Sequence, residues 1–307
     1  MPKSSPTTPQ GTPKKGIWCD DERVQQGVIK VTFVMVLDQV MPVGRGTVAV
    51  EGGEIAYAIA GNGPPIVFAH GIGGNLNSWW QQMRDLPESY TCISFSHRGF
   101  EASSDVTGGP RPEWFGQDLL ALLDHLEIDR TAIVAQSMGG WTAMEFALLQ
   151  PERVDALVLS GTTGSLRLPG IASLADSAAD PEVVRCRADG INPAAGRRMF
   201  DEQPDLYRMF VEIDRMSGTW DRAPVRQALD RMRLRAPQDF AIACPILAIV
   251  GDEDRVCPPG NVITMAASLP RVEVLVVPAA GHSVYFEKAA AYNEAICDYL
   301  SGIETYS

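Results

Sequence analysis

Apolar and polar residues alternate along this chain with two different periods. Short apolar runs rich in β-branched residues occupy 66–69, 91–95, 132–135, 156–160, 246–250 and 272–277. Each is too short for a helix and too continuously apolar for a strand with one wet face, so each is expected to be a strand buried on both sides. Helical patterns fall between them, around 79–86, over 141–150, between 250 and 272, and over the closing stretch 286–300. The clearest is opened by Pro112 and sets Phe115, Leu119, Leu122, Leu123 and Leu126 on one face at i, i+4, i+7, i+8 and i+11. Upstream, 47–50 and 55–60 flank Glu51-Gly52-Gly53, a hairpin signal. Strands alternating with amphipathic helices predict an α/β fold, here a mostly parallel eight-stranded sheet with helices on both faces.

Residues 163–241 interrupt that alternation with helical segments broken by Pro and Gly. Leu206, Met209, Phe210, Ile213 and Met216 form an apolar stripe there. The segment follows the sixth strand and is expected to be a helical cap over the carboxyl ends of the strands, where ligands of such sheets bind. The expected organisation is an α/β core of 45–162 and 242–303, a cap of 163–241, and an N-terminal extension of 1–44. Residues 1–16 are Pro, Ser, Thr and Lys with almost nothing apolar and read as disordered. Residues 17–44 read either as an extra strand or as sequence upstream of a start at Met41, and the domain is expected to fold without 1–40.

Charge and cysteine usage narrow the function classes. The formal net charge is −12 and the pI about 4.8, which argues against a nucleic acid or an anionic membrane surface as partner. Between 163 and 241, twelve arginines balance twelve acids, so most of the cap arginines are expected to be solvated or paired. Six scattered cysteines with no Cys-x-x-Cys, and four histidines without metal spacing, predict reduced thiols, a cytoplasmic location, and neither metal nor cofactor. The longest apolar stretch, 28–40, is broken by Lys30 and Asp38 and falls short of the ~18 residues that span a bilayer. The acidic run Asp20-Asp21-Glu22 before it argues against a signal peptide.

The candidate chemistry centres on Ser137. It stands in Ala-Ile-Val-Ala-Gln-Ser-Met-Gly-Gly, where a buried strand turns through small residues into a helix. A serine hydroxyl becomes a useful nucleophile when such a turn holds it clear of the backbone beside a histidine base and N–H donors. Three further signals sit at strand ends. His70-Gly71-Ile72-Gly73-Gly74 follows one strand, and its glycines allow an N–H to face the space above Ser137. Gly251-Asp252-Glu253-Asp254 places a carboxylate after another, and Gly281-His282 follows the last. Serine, acid and histidine in that chain order form one of the linear orders of a Ser-His-Asp triad.

This arrangement resembles the α/β-hydrolase superfamily over about 45–303. The resemblance is carried by Phe68-Ala69-His70-Gly71-Ile72-Gly73-Gly74, Arg98-Gly99-Phe100, Gln136-Ser137-Met138-Gly139-Gly140, Gly251-Asp252-Glu253-Asp254 and Gly281-His282. It implies Ser137 as nucleophile, His282 as general base and then acid, Asp254 as the group orienting the imidazole, and the N–H groups of Ile72 and Met138 as the oxyanion hole. Two departures stand out: Ala135 opens what is usually Gly-x-Ser-x-Gly, and Ser96 and Glu101 stand in the usual Asp-x-Arg-Gly-x-Gly. His70 is expected to be structural, and Trp79, Met209 and Phe210 are candidates for the pocket wall. The implied activity is hydrolysis of carboxylic esters of small or medium acyl chains through an acyl-enzyme, with a small-molecule ester or lactone as partner. Alternatives on the same triad are enol-lactone and carbon–carbon bond hydrolysis. From another class, a non-catalytic ligand-binding protein would share the fold.

Overall fold

The computed structural model describes residues 43–107, 109–171, 173–218 and 220–306. The expectations for 1–42 lie outside the described residues. The strands are β1 (Gly44–Val50), β2 (Gly53–Ala60), β3 (Pro65–Ala69), β4 (Thr91–Phe95), β5 (Ser104–Asp105), β6 (Thr131–Gln136), β7 (Val154–Ser160), β8 (Ile246–Gly251) and β9 (Val272–Val277). Eight of them form one sheet in the order β1-β2-β4-β3-β6-β7-β8-β9. β1, β2 and β4 pair antiparallel, and from β4 through β9 every pair is parallel. The ninth strand, β5, adds two residues to the edge of β2 through Gly53↔Asp105 and Glu54↔Ser104. Two residues carry no periodicity, which is why no sequence pattern announces it.

Burial explains the apolar runs. Every residue of β6, β7 and β8 is buried, as a central parallel strand covered on both faces requires. The first face is covered by α2 (Phe115–His125), α3 (Gly139–Leu149) and α9 (Pro259–Ser268), with Leu119, Leu122, Phe146, Val262 and Met265 packing on Ile133 and Leu157. The opposite face is covered by α1 (Trp80–Asp85), α10 (Val284–Glu287) and α11 (Ala289–Ser301), with Met83, Phe286, Tyr292 and Ile296 on Ile66 and Val134. The closing helix expected as one piece is therefore two. The break falls at Lys288 (φ −126°, ψ 45°), next to Glu287, whose carboxylate turns inward to accept the Gly281 N–H.

Between β7 and β8 the described residues form five α-helices: α4 (Leu174–Ala178), α5 (Pro181–Ala188), α6 (Gly196–Glu202), α7 (Pro204–Met216) and α8 (Ala223–Arg231). Leu206, Met209, Phe210 and Ile213 of α7 pack against the core that α1, α10 and α11 form with the sheet, whereas Met216, counted with that stripe in the sequence, is 46% exposed. The segment is fastened to the loops at the carboxyl ends of the strands. Asn75 Nδ2 donates to Ile213 O at 2.8 Å, Ser217 Oγ to Gly74 O at 2.9 Å, Ser283 Oγ to Ala194 O at 2.7 Å, and Trp141 Nε1 to Leu229 O at 2.9 Å. Among the described residues no helix is long and apolar enough to cross a membrane.

Candidate active site

The turn after β6 gives the site its form. Ser137 has φ +50°, a left-handed conformation that a residue with a side chain adopts only under constraint. Its N–H is held by Ser160 O at 2.9 Å, and Gly140 N–H closes the turn onto Ser137 O at 2.9 Å. Close packing leaves no room around it. A Cβ on Gly139 would stand 2.2 Å from Ala69 O, and one on Gly71 would stand 2.1 Å from Gln136 Oε1 and 3.1 Å from Ser137 Cβ. At 135, by contrast, the alanine methyl is absorbed in the core, which accounts for the departure from glycine there.

The acid and the histidine come from two further loops. A Cβ on Gly251 would lie 2.1 Å from Ala280 O and 2.4 Å from Gly281 O, so only glycine lets the loop after β8 approach the loop after β9 this closely. The approach places Asp254 Oδ2 2.8 Å from His282 Nδ1, with both side chains buried. The other carboxylate oxygen, Oδ1, accepts the N–H groups of Val256 and Cys257 at 2.8 Å each. Of the three acids in this loop, Asp252 is exposed and Glu253 is exposed and paired with Arg198, so Asp254 is the one at the imidazole. With Nδ1 engaged by a carboxylate, the proton belongs on Nδ1 and the Nε2 lone pair is free.

Ser137 and His282 line the same narrow cavity of about 30 Å³, together with Gly71, Ile72, Phe210 and Tyr285. Among the described loop and turn bonds, no carbonyl takes up the N–H of Ile72 or of Met138. Phe210 stands edge-on to Phe286 at 5.1 Å. Met209 packs one residue away against the core cluster beneath the cap. Trp79 is fully buried between Phe68 (5.1 Å) and Tyr285 (4.4 Å) and is absent from the cavity wall; it supports Tyr285 from behind. A larger cavity of about 260 Å³ borders His282 between the cap and the acid loop, lined among others by Glu182, Arg197, Arg198, Glu253 and Arg255.

Several further residues support the site. Asp214 lines the cavity and pairs bidentately with Arg222 at 2.9 and 3.0 Å, directly over Gly73, where a Cβ would meet Asp214 Oδ1 at 2.0 Å. Arg98, fully buried, binds Asp118 through Nε at 2.7 Å and stacks on Trp114 at 4.9 Å. His70 and His97 are buried edge to face at 4.4 Å, and burial brings the His70 pKa down to about 4, keeping the ring neutral. Ser96, in the place of the usual acid, accepts the Leu76 N–H at 2.9 Å and so braces the start of the helical turn after the His-Gly loop. Asn75 caps the helical turn that follows, its side chain accepting a backbone N–H of that turn while Ser78 Oγ accepts the Asn75 N–H at 3.0 Å. Among the described residues no three His, Cys, Asp or Glu side chains converge as a metal site requires.

Comparison with known proteins agrees with this fold. Residues 64–185 match the family model for the alpha/beta hydrolase fold, and residues 210–305 match that of the TAP-like proteins. BpoC of Mycobacterium tuberculosis, provisionally named a non-heme bromoperoxidase, is 30% identical over 82% of this chain and 99% of its own. The chain belongs to the α/β-hydrolase family. The 3-oxoadipate enol-lactonase 2 of Acinetobacter baylyi is 27% identical over 82% of this chain and 95% of its own. Among solved structures, a thermophilic esterase from Thermogutta terrifontis superposes with a TM-score of 0.67 at 25% identity, covering 86% of this chain and all of that one.

Proposed function

We propose that this α/β-hydrolase is a serine hydrolase that cleaves carboxylic esters of small or medium acyl chains without a cofactor. One observation carries the reading: a buried Asp254–His282 pair shares a cavity wall with a serine held at positive φ on a strand-to-helix turn. In the proposed cycle, Ser137 Oγ attacks the acyl carbonyl while His282 Nε2 takes its proton. The developing oxyanion is received by the N–H groups of Ile72 and Met138. Collapse expels the alcohol, protonated by His282, and leaves an acyl-enzyme on Ser137. Water activated by the same imidazole then releases the acid. Asp254 holds the ring in the Nδ1–H tautomer and stabilises the imidazolium.

The apolar side chains of Ile72, Phe210, Ile213 and Phe286 beside Ser137 support an apolar acyl group. The likeness to an enol-lactonase supports a second reading, an internal ester whose alcohol stays tethered to the acyl group after the same attack. Scattered cysteines support a cytoplasmic setting. A panel of esters and lactones of increasing acyl length, compared by kcat/KM, tests the proposal. Short acyl esters are expected to be the best substrates; turnover of lactones alone would favour the second reading, and no turnover of either class would refute both.

A further inference from the structure

His70 follows β3 directly, and its buried ring sits edge-on to His97 at 4.4 Å and to Phe100 at 5.0 Å. The proton on each imidazole can be placed from its partners. The backbone N–H of His97 donates to His70 Nε2 at 3.0 Å, so that nitrogen carries no hydrogen and the His70 proton is on Nδ1. Nδ1 is 2.8 Å from Gly71 O, to which it donates. His97 Nδ1 lies 3.0 Å from the same His70 Nε2 and must donate to it, which leaves His97 Nε2 as an acceptor. Thr142 Oγ1, 2.8 Å away, fills that role as donor. The hydrogen bonds therefore run one way: Thr142 hydroxyl to His97, His97 to His70, His70 to the carbonyl of Gly71.

One end of this relay lies on the peptide that carries the Ile72 N–H of the proposed oxyanion hole, and the other on the helix that begins at Met138. Gly71 C=O and Ile72 N–H belong to one planar peptide unit, so a bond that fixes the carbonyl also fixes where the N–H points. Gly74 N–H holds the same carbonyl at 3.0 Å, and the two donors together leave that peptide a single orientation. At the other end, Thr142 rides on α3, the helix for which Met138 is the N-cap. We propose that Thr142 and His97, acting through His70, are positioning residues that set the direction and spacing of the Ile72 and Met138 N–H donors. This rests on the assignment of Ser137 as nucleophile. Neither residue lines the cavity at Ser137, so any effect they have on turnover passes through the loop they hold.

Thr142→Val keeps the shape and removes the hydroxyl. Its kcat is expected to fall about tenfold with KM within twofold of wild type. Affinity for a trifluoromethyl ketone, which forms a tetrahedral oxyanion on the serine, should fall by the same factor, and affinity for a product carboxylate should be unchanged. Thr142→Ser is expected to restore kcat. Unchanged kcat in Thr142→Val, or no restoration by serine, would overturn the relay. Nitrogen-15 shifts of the two imidazoles read it without any turnover: at neutral pH both rings should be neutral with the proton on Nδ1. An Nε2–H tautomer on either ring overturns the proposal whether or not the enzyme hydrolyses esters. A wild-type protein with the proton on Nδ1 of both rings and no ester turnover would instead uphold the hydrogen-bond order and fault the serine assignment.

Discussion

Gly161 lies under the imidazole of His282: a Cβ built on it would stand 3.0 Å from His282 Nδ1 and 3.1 Å from Asp254 Oδ2. The end of β7 thus supplies the floor on which the acid and the histidine meet, and the floor must be bare. Gly161 also has φ +55°, which alone disfavours a side chain by about 1–2 kcal/mol. Gly161→Ala is expected to push the pair apart, lowering kcat by roughly ten- to a hundredfold against a loss of only about 1–2 kcal/mol in stability. Steady-state kinetics beside urea melts would check that split; stability lost without an effect on kcat would contradict it.

The Arg98–Asp118 pair holds the loop after β4 against α2, with both side chains almost wholly out of solvent. Arg98 also reaches Glu51 O through both terminal nitrogens at 3.2 Å. Removing one partner leaves a buried charge without its counter-ion, so Asp118→Ala should cost about 3–5 kcal/mol. A urea midpoint within error of wild type would contradict this.

Asn75 ties the His-Gly loop to the cap. Its side chain accepts the Asn77 N–H at 2.9 Å and donates to Ile213 O at 2.8 Å and Ser217 Oγ at 3.2 Å. Asn75→Ala is expected to cost about 1–3 kcal/mol, because buried partners are left unsatisfied. It should also quicken proteolysis within 163–241, read by timed digestion and mass spectrometry; an unchanged digestion pattern would argue against a latch.

Burial of His70 makes stability depend on pH. Its folded pKa of about 4 lies below the ordinary 6.5, so between these values the unfolded chain binds more protons than the folded one. Stability should therefore be full above about pH 6.5 and decline as the pH falls towards 4, by roughly 3 kcal/mol for this group. His97 is displaced the same way by burial and by the neighbouring His70, which steepens the decline. Urea unfolding at several pH values should show a shallower slope in His97→Phe than in wild type.

Much of this fold is written in local patterns. Strands such as 132–135 and 246–250 are bounded by turns, and Ser137 and His282 each sit where a strand meets a helix, a context a few neighbouring residues define. Asp254 is expected over its neighbours Asp252 and Glu253, and the Gly251 contact gives the physical reason, since it is Asp254 that the close approach of the two loops sets against His282. Trp79 follows the His-Gly loop closely, yet the helical turn Leu76–Trp79 rotates it into the core. The His70–His97–Thr142 relay and the Arg98–Asp118 pair join residues 20 to 45 positions apart with no shared period. Such contacts exist only once the sheet has formed.

The central claim is that Ser137 is a nucleophile activated by His282. It is tested most directly by treating the intact protein with a fluorophosphonate and mapping the adduct by mass spectrometry. One stoichiometric adduct on Ser137 is predicted, slowed by several orders of magnitude in His282→Ala. No adduct, an adduct on another residue, or labelling of Ser137 at the same rate without His282 would contradict the account.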